Sequence, residues 1–224
     1  MPRVARASAG GVCYHVLNRG NGGTKIFRTT RDYTDFVELL REETETRNVR
    51  LLAYCLLPDH FHMVLWPRKD GDLSYWMQWL LTSHVRRYHS LHGTSGHVWA
   101  GRFRAFPIQA NEYLLTVLRY IEQNPLRLKE LKLRAPEQWC WSSAVAEIHG
   151  VKLPRIDPGP VERGRNWLKS LQTPLTAEEL ALVRHSVVRG TPLGDAKWQQ
   201  RIVAKLGLEA TMRPRGRPRK TPVV

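Results

Sequence analysis

Four residues in this 224-residue chain have the types and spacing to do chemistry together: His60, His62, Tyr120 and Asn124. The two histidines lie in "CLLPDHFHMVLWP" (55–67), an otherwise apolar run that reads as a strand. Side chains alternate along a strand, so His60 and His62 share one side and Phe61 takes the other. Two imidazoles side by side make half of a metal site. The pattern is short and common, and alone it fits two polar residues on a half-exposed strand better. A third ligand is needed to change that balance. The segment "NEYLLTVLRYIEQNP" (111–125) offers one: Tyr120 and Asn124 are four apart and share a helical face, with Tyr113 near the same stripe. Spacing alone also accommodates both tyrosines as core residues and Asn124 as a cap before Pro125.

The elements that must position these residues are readable in outline. Gly11–Gly20 alternates apolar and polar residues as a strand does, and "RGNGG" makes a turn. Thr29 with Asp32 opens a helix whose apolar face is Phe36, Val37, Leu39 and Leu40, ending near Arg47. "VRLLAYCLL" and "HFHMVLW" form a hairpin about Pro58-Asp59. Asp72 caps a long helix carrying Leu73, Trp76, Met77, Leu80, Leu81 and Val85 at helical spacing. "GHVWAGRFRAFPIQA" is a loop entering a strand, and Asn111 caps a helix that Pro125 ends. This order predicts an α+β fold: a ferredoxin-like βαββαβ antiparallel sheet with helices on one face.

Beyond Gly150 the composition changes. "LPRIDPGP" is a linker, Thr176 and Glu179 form a capping box, and that helix closes near Gly190. A further helix runs from about Asp195 to Leu206. The chain closes on "RPRGRPRKTPVV", with five basic and no acidic residues between Arg213 and Lys220. Proline and arginine at that density build no packed core, so the tail is expected to be disordered when free.

Charge narrows the partner. The net charge is +15 and the pI about 10.3, which points to a polyanion, because each neutralised phosphate releases a condensed counterion. Residues 1–150 hold 20 Lys/Arg against 14 Asp/Glu, and residues 151–224 hold 15 against 6, so the last third is the more basic. Cys13, Cys55 and Cys140 lie too far apart for a paired zinc framework and give no disulfide scaffold. No run approaches the roughly 18 apolar residues of a membrane span. The N-terminus lacks the apolar core of a signal peptide, so the expected location is cytoplasmic.

Five stretches in consistent order carry a resemblance: "YHVLNRGN", "AYCLLPDHFHMVLWP", "GHVWAGRFRA", "YLLTVLRYIEQNPLR" and "WCWSSAVAEIHG". Together, over roughly residues 10–150, they resemble the single-tyrosine His-hydrophobe-His (HUH) transposases of the IS200-like superfamily, in particular the REP-associated tyrosine transposases. The resemblance implies that His60 and His62 ligate a divalent cation, magnesium or manganese, with the amide of Asn124 as third ligand. It implies Tyr120 as nucleophile, in preference to Tyr113, whose i+4 neighbour is the apolar Val117. The implied reaction cleaves single-stranded DNA beside a palindromic (REP) hairpin, leaving a 5′-phosphotyrosine and a 3′ hydroxyl. One departure is visible: Asp59 stands where the family is expected to favour Asn, which puts a carboxylate beside the metal site. Glu122 and Asp59 are candidate proton acceptors.

The expected organisation is then a catalytic domain over 1–150, a helical basic extension over 151–210 and an AT-hook-like tail over 211–224. Candidate DNA contacts are Arg102 and Arg104 on the strand after "GHVWAG", Arg86 and Arg87 on the long helix, and Trp99 as a stacking residue. Arg215 and Arg217 of "PRGRP" suit a narrow minor groove. The same composition fits a protein that only binds hairpin DNA, or a nuclease that uses water. The resemblance implies a bacterial protein associated with the nucleoid, and leaves monomer and homodimer open.

Overall fold

A computed structural model describes residues 8–46, 48–145 and 147–213. In chain order the first elements are β1 (Cys13–Arg19), α1 (Thr30–Thr46), β2 (Val49–Leu57), β3 (His60–Pro67), α2 (Asp72–His92), β4 (Arg104–Ile108) and α3 (Glu112–Glu122). The four strands form one sheet in the order β2-β3-β1-β4, and every neighbouring pair is antiparallel. This is the ferredoxin-like arrangement expected from the alternation of elements.

Local chemistry explains the boundaries. Pro58 and Asp59 alone separate β2 from β3, and their carbonyls accept backbone N–H groups from Ile26, Phe27 and Gly20. Thr29 stands at the cap of α1, and Asp32 in the first turn reaches back to accept from the Arg28 and Thr29 amides at 2.9 and 2.8 Å. Asp72 is the first residue of α2 rather than its cap. Gly71 precedes it at φ 86°, a conformation that favours glycine, and the Asp72 carboxylate takes the Lys69 amide. Asn111 caps α3 by accepting from the Tyr113 amide at 3.2 Å.

The sheet is covered on both faces. Tyr14, Val16, Phe61, Met63 and Leu65 pack with α1 and α2 on one side. The opposite side, carrying Cys13, Cys55, Leu57, Val64 and Ile108, packs with Leu114, Val117, Leu118 and Ile121 of α3. The expectation of helices on one face thus describes α1 and α2, while α3 forms a third layer. A register shift between Leu51 and Ala53 sets the parity of β2. It turns Tyr54 and Leu56 toward α1 and α2, and Cys55 and Leu57 toward α3.

The later segments complete this core. They include α4 (Trp167–Leu171), α5 (Ala177–Arg189), α6 (Ala196–Leu206) and α7 (Glu209–Met212). Thr176 and Glu179 form the expected capping box of α5, and Gly190 and Gly207 end α5 and α6. Both sheet edges are paired: Leu56 and Tyr54 bond with Trp141 and Ser143, while Pro107 and Gln109 bond with Leu193. Leu175, Val183 and Leu193 join the core beneath α3. No helix among the described residues is long and apolar enough to cross a membrane.

One expectation about a DNA contact is corrected here. Trp99 is 6% exposed and lies within 5.2 Å of both the Phe61 and His84 rings, because its bridge to Gly20 pins the loop to the end of β1. It is a core residue and not a stacking surface. Trp99→Ala is therefore expected to cost about 3–5 kcal/mol in denaturant unfolding, without a selective loss of DNA affinity. Arg87 is held by Glu42 at 3.0 Å and Glu38 at 3.4 Å, clasping α2 to α1. It and the exposed Arg86 line a depression with Arg31 and Asp35 on the α1–α2 side of the sheet, away from His60 and His62.

Candidate active site

Alternation puts His60 and His62 of β3 on the α3 side of the sheet, and antiparallel pairing brings β1 and β4 alongside. α3 crosses this face so that Tyr120 meets them. The Tyr120 ring lies 5.8 Å from that of His62, and the two histidine rings are 5.1 Å apart. All three line one cavity of about 460 Å³ with Leu17, Asn18, Arg19, Ala100, Arg102, Arg104 and Val187. Two expected DNA-contacting residues, Arg102 and Arg104, are thus at the same opening as the histidines. Arg104 also donates to the Val188 carbonyl of α5, and its guanidinium stacks over Phe106. Tyr113 is two turns away on α3, half-buried against the apolar layer.

The two candidate ligands have defined surroundings. His60 Nδ1 contacts Asp59 Oδ1 at 2.5 Å, and Asp59 Oδ2 accepts from Arg19 Nη2 at 2.7 Å and Nε at 2.9 Å. The bond from His60, joined by Arg19, outweighs the opposing effect of burial and holds the Asp59 carboxyl down at about 2. The unexpected aspartate is therefore an ionised clamp between Arg19 and His60. It is spent in that contact, which argues against its role as proton acceptor.

His62 is buried, and its Nδ1 lies 2.8 Å from Nε2 of His15. Burial, then the neighbouring His15 and His60, pushes His62 well below the ordinary histidine range, so it is neutral with a lone pair available. Imidazole–metal bonds are about 2.1 Å, so two rings this close can share one ion. Among the described residues no three His, Cys, Asp or Glu side chains gather as a metal cluster. The third ligand that the resemblance implies is an amide. Asn124 begins a 3-10 turn, Asn124–Arg127, directly after α3, and its buried Nδ2 has no hydrogen-bond partner among the described residues. It does not line the cavity with the histidines, and its unsatisfied atom is the amide nitrogen, a donor, so the ligating atom expected of it would be Oδ1. The two imidazoles, neighbours on one cavity wall, fit part of a divalent-cation site.

Tyr120 is 8% exposed, and burial raises its phenol above the usual value while Arg127 and Arg184 pull it back. The Arg127 guanidinium sits 4.5 Å over the Tyr120 ring and donates to the Tyr120 carbonyl at 2.8 Å. Glu122, the other candidate proton acceptor, is fully buried and faces away. Its oxygens accept from Ser143 Oγ and Trp167 Nε1, each at 2.7 Å, with Arg163 at 3.6 Å. That carboxylate anchors α3 to the later segments and is corrected to a structural role.

Three residues of this site were not singled out by sequence reasoning: His15, Arg19 and Arg127. His15 sits in a strand whose alternation is legible, but its meeting with His62 depends on a register in which Leu17 opposes His62 and His15 is the diagonal neighbour. Arg127 follows Asn124 by three in "NPLR", and its stacking depends on the 3-10 turn. Arg215 and Arg217, with the AT-hook-like motif, lie outside the described residues.

Comparison with known proteins bears on the family and the fold. Residues 9–124 match the family model described as "Transposase IS200 like". Among solved structures, a REP-associated tyrosine transposase bound to a REP hairpin is similar at TM-score 0.51 and 21% identity, covering 64% of this chain and 82% of that one. A transposase candidate from Deinococcus radiodurans R1 aligns at TM-score 0.37 and 18% identity, over 55% of this chain and 96% of that one. No curated protein matches the chain.

Proposed function

The chain belongs to the IS200-like transposase family, and from that premise we propose that it cleaves and rejoins single-stranded DNA beside a palindromic hairpin, with Tyr120 as nucleophile. The observation that carries the reading is that Tyr120, His60 and His62 of one chain line a single cavity edged by arginines. A REP hairpin is the bound partner in the similar structure, and the same class of substrate is proposed here.

The reaction uses few groups. The Tyr120 oxygen, as phenolate, attacks a backbone phosphorus, and the bond to the 3′ oxygen breaks. The products are a 5′-phosphotyrosine and a strand ending in a 3′ hydroxyl after it takes up a proton. Attack by a 3′ hydroxyl on the phosphotyrosine reverses the step and joins strands without a nucleotide cofactor. Arg127, over the phenol ring, favours the ionised form of Tyr120. Arg102 and Arg104 offer charge to the scissile strand's phosphates. His60, His62 and Asn124 would hold magnesium or manganese, which when bound neutralises nonbridging oxygens and polarises phosphorus.

The test is incubation of the full chain with labelled single-stranded hairpin DNA and manganese, followed by denaturing electrophoresis. A protein–DNA band that disappears on chelation is expected. Hairpin binding without cleavage would instead support a binding-only protein. Cleavage with no covalent band would support hydrolysis by water.

A further inference from the structure

The two candidate ligands differ in what holds them. His60 Nδ1 faces a carboxylate, which can only accept, so Nδ1 carries a proton, and in the neutral ring that leaves the lone pair on Nε2. His62 has no such partner at its Nδ1. It meets another imidazole, Nε2 of His15, at 2.8 Å, and only one proton fits in that contact. Were it supplied by His15, the neutral His62 ring would carry its own proton on Nε2 and have no lone pair left for an ion there. Were it supplied by His62, Nε2 would be free. The two arrangements have the same heavy-atom geometry and opposite consequences for the cavity that His62 lines.

We infer that His15 is a positioning residue that accepts the Nδ1 proton of His62 and so fixes the tautomer whose Nε2 can bind a cation. This rests on the metal reading above. Metal-ligating histidines donate their other ring N–H to an acceptor, commonly a carboxylate, carbonyl or water. Here a second imidazole takes that role. Its placement is over-determined: the His15 ring is buried, with Phe106 at 5.9 Å and Tyr120 at 6.0 Å, each edge to face. His15 does not line the cavity. Its effect runs through His62, and a neutral acceptor there adds no charge beside the ion.

The metal-free wild-type protein, labelled with 15N, reads the tautomer directly from its long-range imidazole spectrum. Nδ1–H on His62 and an unprotonated Nε2 on His15 are expected, and Nε2–H on His62 overturns the inference. The second arm titrates manganese by electron paramagnetic resonance. His15→Leu should weaken binding about 10- to 100-fold, and His15→Gln, whose amide oxygen can stand near the lost Nε2, should recover most of it. Wild-type affinity in His15→Leu overturns the inference. Wild-type protein that binds no manganese defeats the metal reading, and the inference with it. Should His15→Leu fail to fold, the wild-type spectrum still decides.

Discussion

Tyr120→Phe is expected to lower covalent DNA attachment by about a thousandfold or more, since the nucleophile of a two-step transfer has no substitute. Hairpin affinity and fold should be retained. The ring contacts of Tyr120 with His62, His15 and Arg127 need only the aromatic face and edge, which phenylalanine keeps. The substitution therefore removes the hydroxyl and little else. Tyr113→Phe is the matched control, because Tyr113 packs two turns away against the apolar layer, and wild-type attachment is expected. Quantifying the adduct after denaturation, with binding measured separately, distinguishes lost chemistry from lost affinity.

Glu122→Ala should be as damaging to stability as any substitution considered outside the cavity. The carboxylate has no exposed surface, and burial raises its pKa while Arg163, Ser143 and Trp167 oppose that shift. Removing one partner of a buried ion pair leaves the other uncompensated, at a cost of about 3–5 kcal/mol. Here the group abandoned is Arg163, and the Trp167 and Ser143 donors lose their acceptor as well. Glu122→Gln keeps the shape and an acceptor oxygen, so its loss should be smaller. Chemical denaturation checks this: the midpoint should fall with little change in slope. Because Glu122 lies two residues after Tyr120, Glu122→Ala should also slow attachment.

Much of this was legible in the sequence because it is local. The hairpin at Pro58-Asp59, the cap at Asn111, the box at Thr176 and the parity of His60 and His62 depend on neighbours a few residues apart. What was not legible depends on register and on loops. The shift between Leu51 and Ala53 changes the facing of β2, yet nothing in "VRLLAYCLL" marks it. Trp99, among glycines and arginines, reads as a surface residue until its bridge to Gly20 buries it. Arg87 and Glu122 carry charges that suggest DNA contact and proton transfer, and both are claimed by partners distant in sequence. Asp59 departs from expectation for a comparable reason: Arg19 and His60 reach it from two strands.

The central claim is that Tyr120 forms the bond to DNA, and digestion of the purified adduct tests it most directly. Trypsin separates the two tyrosines of α3, placing Tyr113 in Ala105–Arg119 and Tyr120 in Tyr120–Arg127. Mass spectrometry should find the residual nucleotide on the second peptide, attached at Tyr120 through a 5′ phosphate. The nucleotide on Ala105–Arg119 or any other peptide, or cleaved DNA with a free 5′ phosphate and no adduct, would contradict the assignment.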